Sequence, residues 1–228
     1  MIKKPILLII LDILVLMMMP AVLILIFFFT PVEAVMGPVQ KVFYFHVSSA
    51  WAGMLSFIFA AVAGAGYLLS RRQQWDWISY AAVEIGVVFG IIAILSGMIW
   101  ARPIWNTWWV WDPRLTTTAI MILIYLAYFL LRGGLNHPEA QARLGAVYAI
   151  LGAVTVPLTF FSIRLFRTIH PVVIAPSGSA GPAFNMSPRM LFAFISSLIL
   201  FTILLTDLTW HRYRLAELEN KTNQIEEQ

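Results

Sequence analysis

The sequence predicts an all-α membrane protein of six transmembrane helices, with both termini on the cytoplasmic side. Three observations carry that prediction. Hydrophobic residues fill 61% of the 228 positions and charged residues only 11%, whereas a soluble domain carries about 25% charged residues. Six apolar runs come close to the roughly 20 residues that a helix needs to cross the hydrocarbon core. Lysine and arginine are divided unevenly between alternate loops, which orients the chain in the bilayer.

The first run covers residues 6–29, behind Lys3 and Lys4. A cleavable signal segment has an apolar stretch of about 7–15 residues, so this longer run is expected to stay as the first helix. The others cover residues 47–69, 78–100, 115–131, 144–163 and 190–205. The fourth and sixth are short, but Asp112-Pro113 and Ser187-Pro188 mark their starts. Each pairs a capping side chain with proline at the first helical position, where the missing amide would be unpaired anyway. Pro20 and Pro157 lie inside the first and fifth runs, where a lost backbone hydrogen bond predicts a kink. Gly86-Val-Val-Phe-Gly90 fits the small-residue packing pattern of membrane helices, a pattern common enough by chance to carry little weight. Residues 210–228 form a polar tail, expected to be a helix that frays into solvent. No loop is long enough for a second domain and no internal repeat is evident, so residues 1–228 read as one domain.

Lys3, Lys4, Arg71, Arg72, Arg132, Arg143, Arg212, Arg214 and Lys221 share one side of this topology, nine in all. Lys41, Arg102, Arg114, Arg164, Arg167 and Arg189, six in all, share the other. The positive-inside rule assigns the larger set to the cytoplasm. Six basic residues outside are more than that rule favours, and the surplus needs a use. The net charge of +4 is small and scattered, which argues against a nucleic-acid partner. With no cysteine, the chain cannot form disulfides, iron–sulfur clusters, thiolate zinc sites or thioether links to haem.

Five of the nine tryptophans fall between Trp100 and Trp111, with Arg102 and Arg114 at the margins. Tryptophan favours the membrane–water boundary, but a boundary belt explains one or two per helix end, not five in one connection. Trp105, Trp108 and Trp109 are spaced i, i+3, i+4, so a helical segment would show them on one face. The expectation is a short amphipathic outer segment, residues 100–116, lying flat at the boundary. Large flat rings beside cations suit a flat, apolar, anionic ligand.

With six crossings, the first, third and fifth loops share one face. His46 ends the first of these, the tryptophan segment is the second and His170 lies in the third, whereas His137 and His211 fall on the opposite face. Neutral imidazole is the usual axial ligand of haem iron. Indole faces would pack the macrocycle, and Arg102 and Arg114 would neutralise its propionates by charge-assisted hydrogen bonds. Any haem held here would be non-covalent, hence transferable.

Trp105-Asn-Thr-Trp108-Trp109-Val-Trp111-Asp112-Pro-Arg114-Leu-Thr116 resembles the tryptophan-rich "WWD" segment of the haem-handling proteins of cytochrome c biogenesis. Length, span number and a histidine in each flanking outer loop are similar to the smaller branch of these proteins, the CcmC family, over essentially the whole chain. Pro113 is a local variation that a helix start accommodates. The resemblance implies a protein of the bacterial cytoplasmic membrane that presents haem b on the periplasmic side to a haem chaperone, CcmE. It implies work beside the ABC-transporter pair CcmA and CcmB and the small membrane protein CcmD. It also implies His46 and His170 as axial ligands, and Trp105 to Arg114, including Trp108, Trp109, Trp111 and Asp112, as the haem and chaperone surface.

Several residues also have plainer readings. His137 and His211 suit interfacial polar positions, and Trp51, Trp75, Trp77 and Trp210 suit an ordinary belt at span ends. Asp112 is fully explained as the cap of the fourth span, and an acid beside a haem site can also orient a ligand or bind a partner. Arg102 and Arg114 are closer in sequence to the rings than Arg164 or Arg167 and are the preferred propionate partners. Asp12 and Glu84 lie in apolar runs within two turns of the cytoplasmic ends, where acids can snorkel to the boundary.

No nucleophile–base pair or metal-hydrolase pattern is present, so the expectation is a delivery component rather than an enzyme. Two alternatives compete with it. A small membrane cytochrome b would place its histidines within the spans, whereas here both lie at loops or span edges. A haem or anion permease would need a polar path between helices, and the spans offer few polar residues to line one.

Overall fold

The computed structural model describes residues 4–171 and 186–226; Lys3 and the last two residues of the tail lie outside them. Six helical stretches are long and apolar enough to cross a membrane. The first is α1, Ile6–Ile24, which runs on through a π-helical turn, Leu25–Phe29. A short 3-10 turn, Pro38–Lys41, leads into α2, Val42–Ser70, and α3 covers Gln73–Trp105. The fourth is α4, Pro113–Gly133. The fifth is built from α5, Pro138–Ala153, and α6, Thr155–Leu165, and the last is α7, Pro188–Glu226.

Number and order match the sequence expectation, and most helices are longer than their apolar windows. Backbone hydrogen bonding continues beyond the hydrocarbon region, so hydropathy marks the span but not the helix end. One consequence bears on the site: α2 begins at Val42, and His46 therefore sits in its second turn rather than in a loop. The tail is also continuous with the last span, so α7 is a single helix of 39 residues.

Both internal prolines act as the backbone chemistry requires. Pro157 lies in the first turn of α6, where its missing amide is harmless. Its ring and absent donor interrupt the helix one turn earlier, and the fifth span breaks at Val154. Pro20 is held within α1, and the distortion follows it: the wide turn Leu25–Phe29 closes with the Thr30 amide and hydroxyl both donating to the Leu25 carbonyl.

The centre of the bundle is the α2–α3 seam. A Cβ on Gly53 would stand 3.2 Å from the carbonyl oxygen of Gly86 and 3.2 Å from the amide nitrogen of Gly90. The Gly86/Gly90 pattern is thus a close backbone contact, as small residues permit between membrane helices. Phe57 of α2 stacks face to face on the buried Tyr125 of α4, with ring centroids 3.7 Å apart. In contrast, only 11% of the apolar window of the first span is buried, and Ile6, Leu7, Leu16 and Met17 face outward.

At the end of the bundle where α1 begins, charges cross-link the helices. Arg132 of α4 donates to both oxygens of the buried Asp76 of α3, at 2.5 and 2.9 Å. Its guanidinium lies 5.0 Å from the Tyr80 ring centroid. Arg212 of α7 donates to Glu84 of α3 at 2.6 Å, so this acid is paired across helices. Breaking a buried ion pair by removing one partner costs about 3–5 kcal/mol. Asp76→Ala is expected to lower the thermal unfolding midpoint of the purified protein accordingly, and a paired Asp76→Leu, Arg132→Met variant to recover most of the loss.

Candidate functional site

The opposite end of the bundle gathers His46, the tryptophan segment and His170. On α3, Gly97 makes room for the first imidazole, since a Cβ there would stand 2.8 Å from His46 Cε1. One turn earlier on the same helix, the Ala93 carbonyl oxygen lies 2.8 Å from His46 Nδ1. A carbonyl only accepts, so Nδ1 carries a proton and Nε2 is the nitrogen left for another partner. His170 repeats the device, with Nδ1 3.1 Å from the Pro171 carbonyl oxygen. The two rings stand 6.3 Å apart, centroid to centroid, at 38°.

The segment bearing His170 has no regular structure, and Asp112 holds it. Asp112 is buried, 8% exposed, and caps α4 by accepting the Arg114 amide at 2.9 Å. The same carboxylate accepts the Thr168 hydroxyl at 2.7 Å on each oxygen and the Ile169 amide at 3.0 Å. The Thr168 hydroxyl oxygen in turn accepts the His170 amide at 3.0 Å. Asp112 is thus the cap expected from the sequence and, in addition, the group that fastens residues 168–169 to the start of α4. Arg114, next along α4, donates to the Thr159 and Phe160 carbonyls of α6, each at 2.9 Å. His170 is held neutral at physiological pH: burial foremost, then the charge of Arg114 and the neighbouring His46, lower its pKa to about 3.

The imidazoles open onto a cavity of about 290 Å³ between α2, α3, α4, α6 and α7, near the lower edge of the range of small-molecule sites. Trp105, Trp108, Trp109 and Arg114 line it, as do Trp51, Trp100 and Arg164. Two buried polar atoms in this wall lack a protein partner, Trp109 Nε1 and Thr159 Oγ1. Leaving a buried donor unpaired is costly, so both suit a ligand that brings acceptor oxygens, as the propionates of haem would.

Other residues lie differently from expectation. The segment is not a flat amphipathic helix: α3 ends at Trp105, Asn106 takes a left-handed φ of 55°, and residues 107–112 are irregular. Pro103 weakens the last turn, asparagine tolerates the reversal, and Asp112 needs extended backbone to cap α4. Arg102 donates to the Asn106 carbonyl at 2.8 Å and to its side-chain oxygen. That closes the end of α3, and Arg102 lies outside the cavity lining, where Arg164 takes a place. Trp111 is also outside the lining, 76% exposed, with its ring edge-on to Trp109 at 5.7 Å. Trp51, expected in the belt, lines the cavity instead and donates to Thr202 of α7 at 3.0 Å. Thr168 and Gly97 escaped the sequence entirely, as a threonine two residues before a histidine and a glycine in a span announce no role alone. Asp112→Ala is expected to cost about 1 kcal/mol as a lost cap. It also frees residues 168–170, seen as at least tenfold faster amide hydrogen exchange there than in the intact protein.

Comparison with known proteins identifies the family. The sequence profile of the CcmC family, heme exporter protein C, matches residues 2–228. The heme exporter protein C of Bradyrhizobium diazoefficiens is 32% identical over 175 residues, 76% of this chain and 66% of that protein. That of Rhodobacter capsulatus is 37% identical over 59% of this chain and 55% of that protein. For Escherichia coli K12 the figures are 28%, 82% and 74%. The matched stretch thus spans slightly less than two thirds of the first relative's length. With a profile match from end to end, this chain belongs to the CcmC, or heme exporter protein C, family.

Proposed function

We propose that this protein holds haem b non-covalently at the periplasmic end of its bundle, between His46 and His170, and delivers it to a haem chaperone for cytochrome c biogenesis. The relatives' name, heme exporter protein C, supports haem as the cargo. One observation carries the assignment of the site: two imidazoles, each tethered through Nδ1 to a backbone carbonyl, stand 6.3 Å apart beside an aromatic cavity. Imidazole nitrogens bond transition metals at about 2 Å, so two rings at this separation could both hold one haem iron. The tether through the other ring nitrogen is what orients a metal-binding histidine.

The remaining residues take roles consistent with that geometry. Trp105, Trp108 and Trp109 supply faces for the macrocycle, and Arg114 and Arg164 supply charge for its propionates. Trp109 Nε1 offers a further donor. Trp111, turned outward, suits contact with the chaperone CcmE. Asp112 is a positioning residue that sets His170 through Thr168, and Arg102 serves the backbone rather than the ligand. The chain carries no bond-making step of its own. It works in the bacterial inner membrane with CcmA, CcmB and CcmD, with the tryptophan-rich end away from the cytoplasm, as the basic-residue bias favours.

The purified protein is expected to show a bis-imidazole haem spectrum. His46→Ala and His170→Ala should each shift that spectrum and lower haem retention at least tenfold. Unchanged spectra in both variants would remove the ligand assignment. Changing Trp108, Trp109 and Trp111 together to Leu should leave the protein in the membrane yet abolish transfer to added apo-chaperone. Reversible haem reduction coupled to a quinol, without transfer, would instead identify an electron-transfer subunit.

A further inference from the structure

Asp207 and His211 lie about 20 Å further along α7 than Phe194, which borders the haem-side cavity. They are one turn apart and share a face. Asp12 of α1 meets them there. His211 Nε2 stands 2.7 Å from Asp12 Oδ1 and 3.8 Å from Asp207 Oδ1. One oxygen from each acid and one ring nitrogen lie within 4.8 Å of one another, the one such group among the described residues. Lys4 donates to the other oxygen of Asp12, Oδ2, while Oδ1 hydrogen-bonds His211 Nε2, so a cation bound here takes the place of the proton between those two atoms.

Asp207 supplies the second, independent observation. Its side chain is buried, the residue 6% exposed, and its Oδ1 makes no hydrogen bond. The His211 nitrogen at 3.8 Å is too far to donate one. A buried carboxylate oxygen without a donor is costly, and a cation at the centre of the three ligand atoms would relieve it. We propose that Asp12, Asp207 and His211 bind a divalent first-row transition cation, of the zinc type, which clips the first span to the last. One imidazole with two carboxylates suits such an ion better than calcium or magnesium, which take oxygen alone, or copper(I), which prefers sulfur. His211 is exposed, which gives the ion a path from solvent. The clip acts where it is needed, since the first span buries only 11% of its apolar window.

The site lies at the far end of the bundle from the histidine pair and stands apart from the haem assignment. The test uses the full chain with a histidine-free affinity tag, stripped by a chelator and titrated with Zn²⁺ against a chromophoric competitor at pH 7.5. One zinc per chain is expected in a His46→Ala, His170→Ala background, which removes the outer imidazole pair. Asp207→Asn and His211→Gln should each weaken binding at least tenfold in that background. Independently of any variant, zinc should slow amide hydrogen exchange around Asp12 in the wild-type chain. Absence of stoichiometric uptake, uptake indifferent to Asp207→Asn and His211→Gln, uptake lost with the outer histidines, or unaltered exchange around Asp12 would each overturn the proposal.

Discussion

The carboxylate of Asp112 is the constraint on which the outer end of the molecule depends. It caps α4, and with the same two oxygens it fastens Thr168 and Ile169, hence the backbone of His170. A cap alone would need one acceptor and could sit at the surface. Burial and three donors, the Arg114 amide, the Thr168 hydroxyl and the Ile169 amide, make Asp112 a junction between the tryptophan-rich connection and the segment after α6. Arg114, two residues on, uses its guanidinium on α6 itself. Two neighbouring charged residues thus set the distance between α4 and the loop that carries the second imidazole.

The first imidazole is set by a different kind of contact. His46 sits on a helix, and its ring lies in the space left by Gly97 with its proton on the Ala93 carbonyl. Small residues allow that approach. The α2–α3 seam at Gly53, Gly86 and Gly90 keeps these helices in backbone contact, and without it the ring would not reach α3. One histidine is thus positioned by packing and the other by a polar network. The network is the more vulnerable, because it holds an irregular segment.

Charged side chains gather toward the two ends, as a hydrocarbon solvent demands. At one end, arginines and acids are paired across helices: Asp76 with Arg132, and Glu84 with Arg212. At the other, donors remain unpaired in the cavity wall, at Trp109 and Thr159. Saturated pairs lock helices together.

Hydropathy alone determined that there are six spans, in what order, and that His46, His170 and the tryptophan segment share one face. Each follows from run length and an even number of crossings, which are properties of the chain alone. The dense tryptophans likewise pointed to this end of the bundle, where Trp100, Trp105, Trp108 and Trp109 line the cavity. Tertiary structure decided which side chains reach the cavity. Arg102 is nearer the rings in sequence than Arg164, yet it turns back to the end of its own helix, while Trp51 and Arg164 arrive from helices distant in the chain. It also decided that Asp112 serves Thr168, fifty-six residues away, and that residues after Trp105 leave the helix. Periodicity records how one segment meets its own neighbours, whereas contacts between segments depend on crossing geometry and on the hydrogen bonds that each irregular backbone must find elsewhere.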